Sequence, residues 1–267
     1  MSSYVHGYSE KESCRLADQA STLTQLLHGD TAYPDGSRVL EAGCGVGAQT
    51  ITLSRSSPGA EFECLDISPA SLEGARKMAA ERQLDNVCFR QGDIYQLPYP
   101  DASFDHVFVC FVLEHLADPS RALSGFHRVL KPGGTLTVIE GDHGSYYCHP
   151  QSPAADQTVQ CLVDIQAAAG GDALIGRRLY PLLVDAGYAS VAVSPRMVYV
   201  DGSRPAMADG FTRKTFTAMV AGVKSQALSM GLIDEKTWDR GIADLYRTAD
   251  RDGTFCYTFF KGVGLHL

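Results

Sequence analysis

The sequence predicts an α/β fold built on a seven-stranded, mostly parallel sheet, with helices on both faces, an antiparallel last strand and helical lid insertions. Three observations carry that expectation. From Arg38 onward, short runs rich in β-branched and aromatic residues alternate with helical patterns, the order that buries a parallel sheet between two helix layers. The glycine-rich turn Gly43-Cys44-Gly45-Val46-Gly47 joins the first apolar run to the first of those helices. The last run, Thr254 to Lys261, follows Gly253 with no room for another crossover helix, so it is placed antiparallel in the sheet.

Each element has its own signal. Ser9 and Glu12 have capping-box spacing, and Leu16, Ala20, Leu23 and Leu27 recur on one face before Gly29, which predicts a helix ahead of the sheet. Strand Val39 to Ala42, a helix after Gly47 and strand Phe62 to Ile67 follow. Ser68-Pro69 opens a helix that runs to about Arg82. Further strands are expected at Val87 to Arg90, Phe104 to Val112 and Thr135 to Ile139, with a helix from Ser120 to Leu130 closed by Lys131-Pro132-Gly133-Gly134. Past Gly141, Ser152-Pro153 opens a helix carrying Val159, Leu162 and Val163. Helix Gly176 to Ala186 and strand Ser190 to Val200 resume the alternation. Asp201 to Asp252 reads as two amphipathic helices, with Phe216, Met219, Val220, Val223 and Ala227 on the first and Trp238, Ile242, Leu245, Tyr246 and Ala249 on the second.

Composition narrows the partners. Hydrophobic residues make up 45% and charged residues 20%, as in an ordinary globular protein. The net charge of −8, with no cluster of Lys and Arg, argues against a nucleic-acid backbone or an anionic membrane as the main partner. No uninterrupted apolar stretch is long enough to span a bilayer, and Met1 to Glu12 lacks the apolar core of a signal peptide, so a cytoplasmic protein is expected. Cys14, Cys44, Cys64, Cys88, Cys110, Cys148, Cys161 and Cys256 are scattered without a C-x-x-C pair and read as small buried thiols; no metal site is expected.

The chemistry concentrates at the ends of the early strands. Glu41-Ala42-Gly43-Cys44-Gly45-Val46-Gly47 places backbone N–H groups and the positive end of a helix where a carboxylate or phosphate can sit. Asp66, with Ile67 beside it, ends the second strand, where an acidic side chain can accept both ribose hydroxyls. Asp93, in Arg90-Gln91-Gly92-Asp93-Ile94, lies past the third strand, where a carboxylate can accept from an adenine amino group. Three sites in that order describe one nucleoside.

With these residues the chain resembles the class I S-adenosylmethionine-dependent methyltransferases, especially the branch typified by ubiquinone- and menaquinone-biosynthesis enzymes. Glu41 to Gly47 matches their E-x-G-x-G-x-G loop, Asp66 their ribose acid and Gly92-Asp93-Ile94 their adenine-side motif. Phe104-Asp105 with Phe111-Val112-Leu113-Glu114-His115-Leu116 matches their fourth strand and its exit, and Arg128 to Gly134 their turn before the fifth. The resemblance spans about Arg38 to Gly141. It implies a Rossmann-like fold, methyl transfer, and S-adenosylmethionine as cofactor with S-adenosylhomocysteine as product. A nicotinamide dehydrogenase shares the fold, and Gly43, Gly45 and Ala48 satisfy one form of its loop, but the Asp93, Glu114-His115 and Lys131 to Gly134 matches have no counterpart there.

In this reading the backbone of Glu41, Gly43, Gly45 and Gly47 cradles the methionine end. Asp66 and Ile67 flank the ribose, and Asp93, Ile94 and Phe111 hold adenine. Tyr8 and Arg15, on or beside the first helix, are candidates to close over the amino-acid end. The expected layout is a single domain, 1–267, with an N-terminal helical lid at 1–36, a cofactor-binding core at 37–144 and substrate-lid insertions at 145–175 and 201–252. Methyl transfer from a sulfonium is an in-line displacement that needs positioning above all, and a general base if the acceptor carries a proton. Candidates at the carboxyl ends of strands four and five are His115, Glu140, Asp142 and His143, with His143 preferred. Tyr146, Tyr147, Phe211, Phe216, Met219, Trp238 and Tyr246 lie in the insertions and suit an apolar or aromatic small-molecule acceptor, although an apolar stripe on a helix is more often core. The acceptor atom stays open among O, N, C and S. Methylation of protein or RNA, a non-catalytic cofactor-binding role and homo-oligomer formation through Phe255 to Phe260 or the first helix are the alternatives left standing.

Overall fold

The computed structural model describes residues 22–267. The Ser9/Glu12 cap, Leu16, Ala20, Tyr8 and Arg15 lie outside the described residues. Within them, helix α1 is seen over residues 22–28, with Leu23 and Leu27 buried as their spacing predicts.

The chain then runs β1 (Arg38–Ala42), α2 (Thr50–Ser56), β2 (Glu61–Asp66), α3 (Pro69–Glu81), β3 (Val87–Gln91), β4 (Phe104–Cys110), α4 (Pro119–Val129) and β5 (Leu130–Gly141). It continues through β6 (Tyr147–His149), α5 (Pro153–Ala168), α6 (Leu179–Asp185) and β7 (Ala189–Asp201). Next come α7 (Pro205–Met207), a π-helix (Ala208–Thr217), α8 (Ala218–Ala221), α9 (Lys224–Ser229), α10 (Glu235–Arg247) and β8 (Thr254–Leu265). Caps set several starts. Ser68 and Ser152 accept from the backbone N–H three residues on, and Pro69 and Pro153 occupy first-turn positions where a missing N–H costs nothing.

The sheet order is β3-β2-β1-β4-β5-β8-β6, with β7 on the other side of β8. Strands β1 to β5 are parallel to one another, and β8 runs antiparallel to β5, β6 and β7. The expected antiparallel last strand is therefore present, but among the described residues the sheet has eight strands instead of seven. The extra strand is β6, inside the first predicted insertion. Its cause is the length of β8: β5 pairs only with Phe259 to Leu265, and the leading residues Thr254 to Cys256 would otherwise leave ladder groups unpaired.

Period-two alternation sorts the side chains into two cores. Val39, Phe62 and Phe108 point to one face, packed with α1, α2, α5, the π-helix and α10; Leu40, Leu65, Val107 and Val109 point to the other, against α4 and α6. Two other expectations change in detail. The Lys131 to Gly134 turn is drawn into β5, tied by Gly133 N–H to His266 O and His266 N–H to Gly134 O. The first helix of the 201–252 insertion is mainly a π-helix whose wide turns let both Phe211 and Phe216 face β8.

Candidate functional site

The parallel strands end together at one edge of the sheet, and the loops leaving that edge carry the residues singled out above. The glycine loop after β1 is anchored by Gly43 and Cys44 N–H groups donating to Leu65 O at 2.7 and 3.0 Å. Gly43, Gly45 and Gly47 all have positive φ, at 79°, 54° and 78°. A Cβ on Gly43 would lie 2.5 Å from Val112 Cγ2, so Gly43 is glycine for packing, whereas one on Gly47 would lie 2.9 Å from Met78 Cε, the movable end of a long side chain. A Cβ on Gly45 would meet nothing within 4 Å. The middle of the loop thus presents bare backbone to open space just ahead of α2.

Asp66 holds that loop against the end of β2. Its Oδ2 accepts from Gly45 N–H at 2.8 Å and its Oδ1 from Ser68 N–H at 2.9 Å. Burial lifts the Asp66 carboxyl above its usual range while the N–H donors pull the other way. With about four lone-pair sites on its two oxygens, the carboxylate keeps capacity for a hydroxyl. Ile67 beside it is half exposed. At the end of β3, Asp93 closes a turn by accepting from Tyr95 N–H at 2.8 Å, and Ile94 packs partly against the α4-side core. Phe111 leaves β4 with φ 58°, a left-handed conformation that an aromatic residue rarely adopts, and its ring lies 5.4 Å from that of Phe259.

The Glu41 side chain lies inside the protein. Its carboxylate is buried and accepts from Thr50 Oγ1 at 2.6 Å and from Cys64 Sγ, so it braces β1, β2 and the start of α2. Burial pushes its carboxyl up to about 7. Through its side chain Glu41 supports the loop from behind.

The second group of residues lies past β4 and β5. Glu140, at the end of β5, is fully buried and accepts from Val112 and Leu113 N–H through Oε1 at 3.0 and 2.7 Å, fixing the bend that follows Phe111. Its carboxyl is held well above the usual range by burial and by the neighbouring Glu114 carboxylate. That bend presents Glu114 and His115, with His115 Nε2 3.5 Å from Glu114 Oε1. Gln166 on α5 donates to Glu114 O at 2.9 Å. His143 is buried in the turn after β5; its Nδ1 is 2.7 Å from Tyr257 Oη on β8 and its Nε2 3.7 Å from Glu114 Oε2. Asp142 is buried beside it and is taken up by Arg177, whose Nε and Nη2 each donate at 2.7 Å. His143 and His115 therefore converge on Glu114, while Asp142 is turned into a fork-shaped ion pair.

The insertion aromatics divide. Phe211, Phe216 and Trp238 are buried, and Tyr147 and Tyr246 are exposed at 62% and 40%. Phe211 and Phe216 close over the β8 row of Phe255, Tyr257 and Phe259, and Phe216 reaches within 6.5 Å of the His143 ring. Trp238 is core. Sequence reasoning missed Tyr257 and Arg177. Tyr257 carried a signal, since it stands at period two between Phe255 and Phe259 on a strand read as rich in aromatic and β-branched residues. Arg177 carried none.

Three comparisons bear on these residues. A family profile described as a methyltransferase domain matches residues 40–138. The chain is 32% identical over 162 residues to demethylmenaquinone methyltransferase of Thermus thermophilus, covering 50% of this chain and 73% of that protein. It is 35% identical over 134 residues to 27-O-demethylrifamycin SV methyltransferase of Amycolatopsis mediterranei, covering 50% of this chain and 49% of that protein. The YcgJ protein of Bacillus subtilis shares the fold, with a TM-score of 0.61 at 18% identity over 92% of this chain and 97% of that one. The chain spans about half to two thirds of the length of the first curated relatives it matches.

Proposed function

This chain belongs to the class I S-adenosylmethionine-dependent methyltransferases, and from that premise we propose that it methylates a small apolar or aromatic molecule. The observation that carries the reading is the loop around Gly45: left-handed backbone facing open space, tied by its own N–H to Asp66. Such a surface fits a ligand that brings ribose hydroxyls to a carboxylate and a charged amino-acid end to backbone N–H groups.

When bound, S-adenosylmethionine supplies an electrophilic methyl group on a sulfonium. The protein's part is placement. Gly43, Gly45 and Gly47 hold the methionine end, Asp66 and Ile67 the ribose, and Asp93, Ile94 and Phe111 the adenine. Tyr8 and Arg15 are assigned to the amino-acid end. The single-domain layout stands as part of this proposal, with 37–144 as the cofactor core and 145–175 and 201–252 as cover for the acceptor. Phe211 and Phe216, packed over β8 beside His143, favour an apolar or aromatic acceptor. His143 serves as general base, Asp142 with Arg177 fixes the turn that carries it, and His115 flanks the same carboxylate. Near-attack placement of acceptor and methyl can supply about 7–11 kcal/mol of the barrier at best.

Among the described residues no helix is long and apolar enough to cross a membrane. The acidic balance disfavours RNA as acceptor. Incubation with methyl-labelled S-adenosylmethionine and a panel of phenols, amines, thiols and quinones, read by mass spectrometry, tests the proposal. Label on a panel member supports it. Calorimetric binding of the cofactor with no transfer to any small molecule would favour a non-catalytic role, and label on bulk protein or RNA would favour a macromolecular acceptor.

A further inference from the structure

The loop that carries Gly45 runs straight into α2, and their junction is tied down at two successive residues. Thr50 Oγ1 donates to the buried Glu41 carboxylate at 2.6 Å. Gln49, the residue just ahead of α2, makes no capping bond to its own helix with its side chain. Its Oε1 instead lies 2.7 Å from Nε2 of His28, the last residue of α1, the length of a formed hydrogen bond. His28 is 3% exposed, and burial pushes its ring down to about 4, so at neutral pH the imidazole is uncharged. An amide oxygen only accepts, so Nε2 carries the proton and donates. Nδ1 is buried with no partner among the described residues, which leaves the bond to Gln49 as the polar contact that holds the ring.

His28 stands on a fixed base. Its ring packs against Phe108 of β4, with centroids 5.7 Å apart, and its carbonyl accepts from Thr31 N–H at 2.9 Å. The turn that follows is fastened to the last two strands. Asp30 Oδ1 accepts from Lys261 Nζ at 2.7 Å and Oδ2 accepts from Arg196 of β7. Lys261, buried on β8, also places its Nζ 2.6 Å from Thr31 Oγ1. The end of α1 cannot withdraw without breaking these bonds, so the sheet is linked to the glycine loop through Lys261, Asp30, His28 and Gln49 in turn.

We propose that His28 is a positioning residue for the cofactor: it fixes Gln49 from α1, and through Gln49 holds the Gly45–Gly47 backbone in the shape that S-adenosylmethionine binds. This rests on the methyltransferase reading. The effect is preorganisation: the loop does not have to be ordered when the ligand arrives, so affinity for the cofactor gains. The chemical step, which starts from the filled site, does not.

The test compares His28→Leu, His28→Gln, Gln49→Leu and the double variant His28→Leu/Gln49→Leu with the parent protein. Leucine fills much of the space of the ring without its donor, and glutamine restores an N–H at similar reach. Three readouts are used: Kd for S-adenosylmethionine by calorimetry, kcat and KM for S-adenosylmethionine with an acceptor from the panel above, and amide hydrogen exchange of the cofactor-free protein. Each single leucine variant is expected to weaken S-adenosylmethionine about five- to tenfold and to raise its KM by a similar factor, with kcat at saturating cofactor within about twofold of the parent. The double variant should lose no more than either single one, because all three break the same bond. In His28→Leu the amides from Val46 to Thr50 should exchange faster, while those of β4 and β5 keep parental protection. His28→Gln should bring affinity and exchange back close to the parent. A merely structural role would lower thermal stability yet leave Kd and the local exchange unchanged, and that result would overturn the proposal. Additive losses in the double variant would overturn it too, as would a fall in kcat at saturating cofactor with Kd unchanged. Should His28→Leu not fold, Gln49→Leu, at a partly exposed position, carries both readouts. A parent protein that binds no S-adenosylmethionine defeats the methyltransferase reading instead, and the exchange comparison still decides whether His28 holds the loop.

Discussion

Gly43 and Gly45 have the same backbone hand and opposite surroundings, so alanine at each separates folding from ligand binding. At Gly45, with φ 54° and no atom within 4 Å of the added Cβ, Gly45→Ala costs only the left-handed conformation, about 1–2 kcal/mol. For a chain of this size that is a fall in Tm of about 2–8 °C. Gly43→Ala carries the same conformational cost and adds a contact at 2.5 Å to Val112 Cγ2. Val112 cannot withdraw easily, because its N–H and that of Leu113 are bound to Glu140 Oε1. Overpacking of this kind adds about 1–3 kcal/mol. Thermal unfolding followed by circular dichroism should therefore rank Gly43→Ala as the less stable variant by several degrees. Cofactor binding should show a large defect even in the better folded Gly45→Ala, because its methyl group enters the space the ligand backbone would use. The expected loss is tenfold or more in Kd, about 1.4 kcal/mol. A Gly45→Ala protein that binds S-adenosylmethionine with parental affinity would refute the placement of the cofactor on this loop.

Two further predictions concern buried charge. Arg177→Ala leaves the buried Asp142 carboxylate with Gly144 N–H but without its forked partner, and should cost about 1–3 kcal/mol, moderated by the half-exposed position of Arg177. Urea unfolding should show this loss and its partial recovery in Arg177→Ala/Asp142→Asn; equal midpoints for the parent and the single variant would sink the argument. His28, buried on α1 with Nε2 2.7 Å from Gln49 Oε1, is pushed down by burial to about 4. Between about pH 4 and 6.5 the unfolded chain takes up a proton that the folded chain refuses, so this group favours folding above that window and up to about 3 kcal/mol is lost as pH falls through it. Glu41, raised to about 7, titrates with the opposite sign, since the folded chain keeps its proton and stability declines as pH rises towards 7. The difference between the parent and His28→Gln isolates the histidine. It should grow as pH rises from 4 to 6.5, and parallel stability curves would contradict the assignment.

Local chemistry wrote much of this molecule directly into its sequence. The glycine loop, the alternation of β1 to β5 with helices, and the placing of Asp66 and Asp93 at strand ends follow from hydrophobic period, helix caps and turn residues, all of which act over a few positions. The antiparallel β8 was legible because too little chain separates it from α10 for a crossover. The remainder depends on partners far apart in sequence. Strand β6 exists because β8 outruns β5, which no local pattern in Tyr147 to His149 announces. The inward turn of Glu41 requires Thr50 and Cys64 to be brought together by α2 and β2. The surroundings of His143 are the clearest case: its partner Tyr257 lies 114 residues away and reaches it only because β8 inserts beside β5 at a glycine. The sequence by itself determined the fold class and the order of the loops that leave the parallel strands. Tertiary structure alone decided which partner each buried carboxylate takes, because a buried polar group's role is set by the atom that pairs with it, and that pairing forms only when the strands assemble.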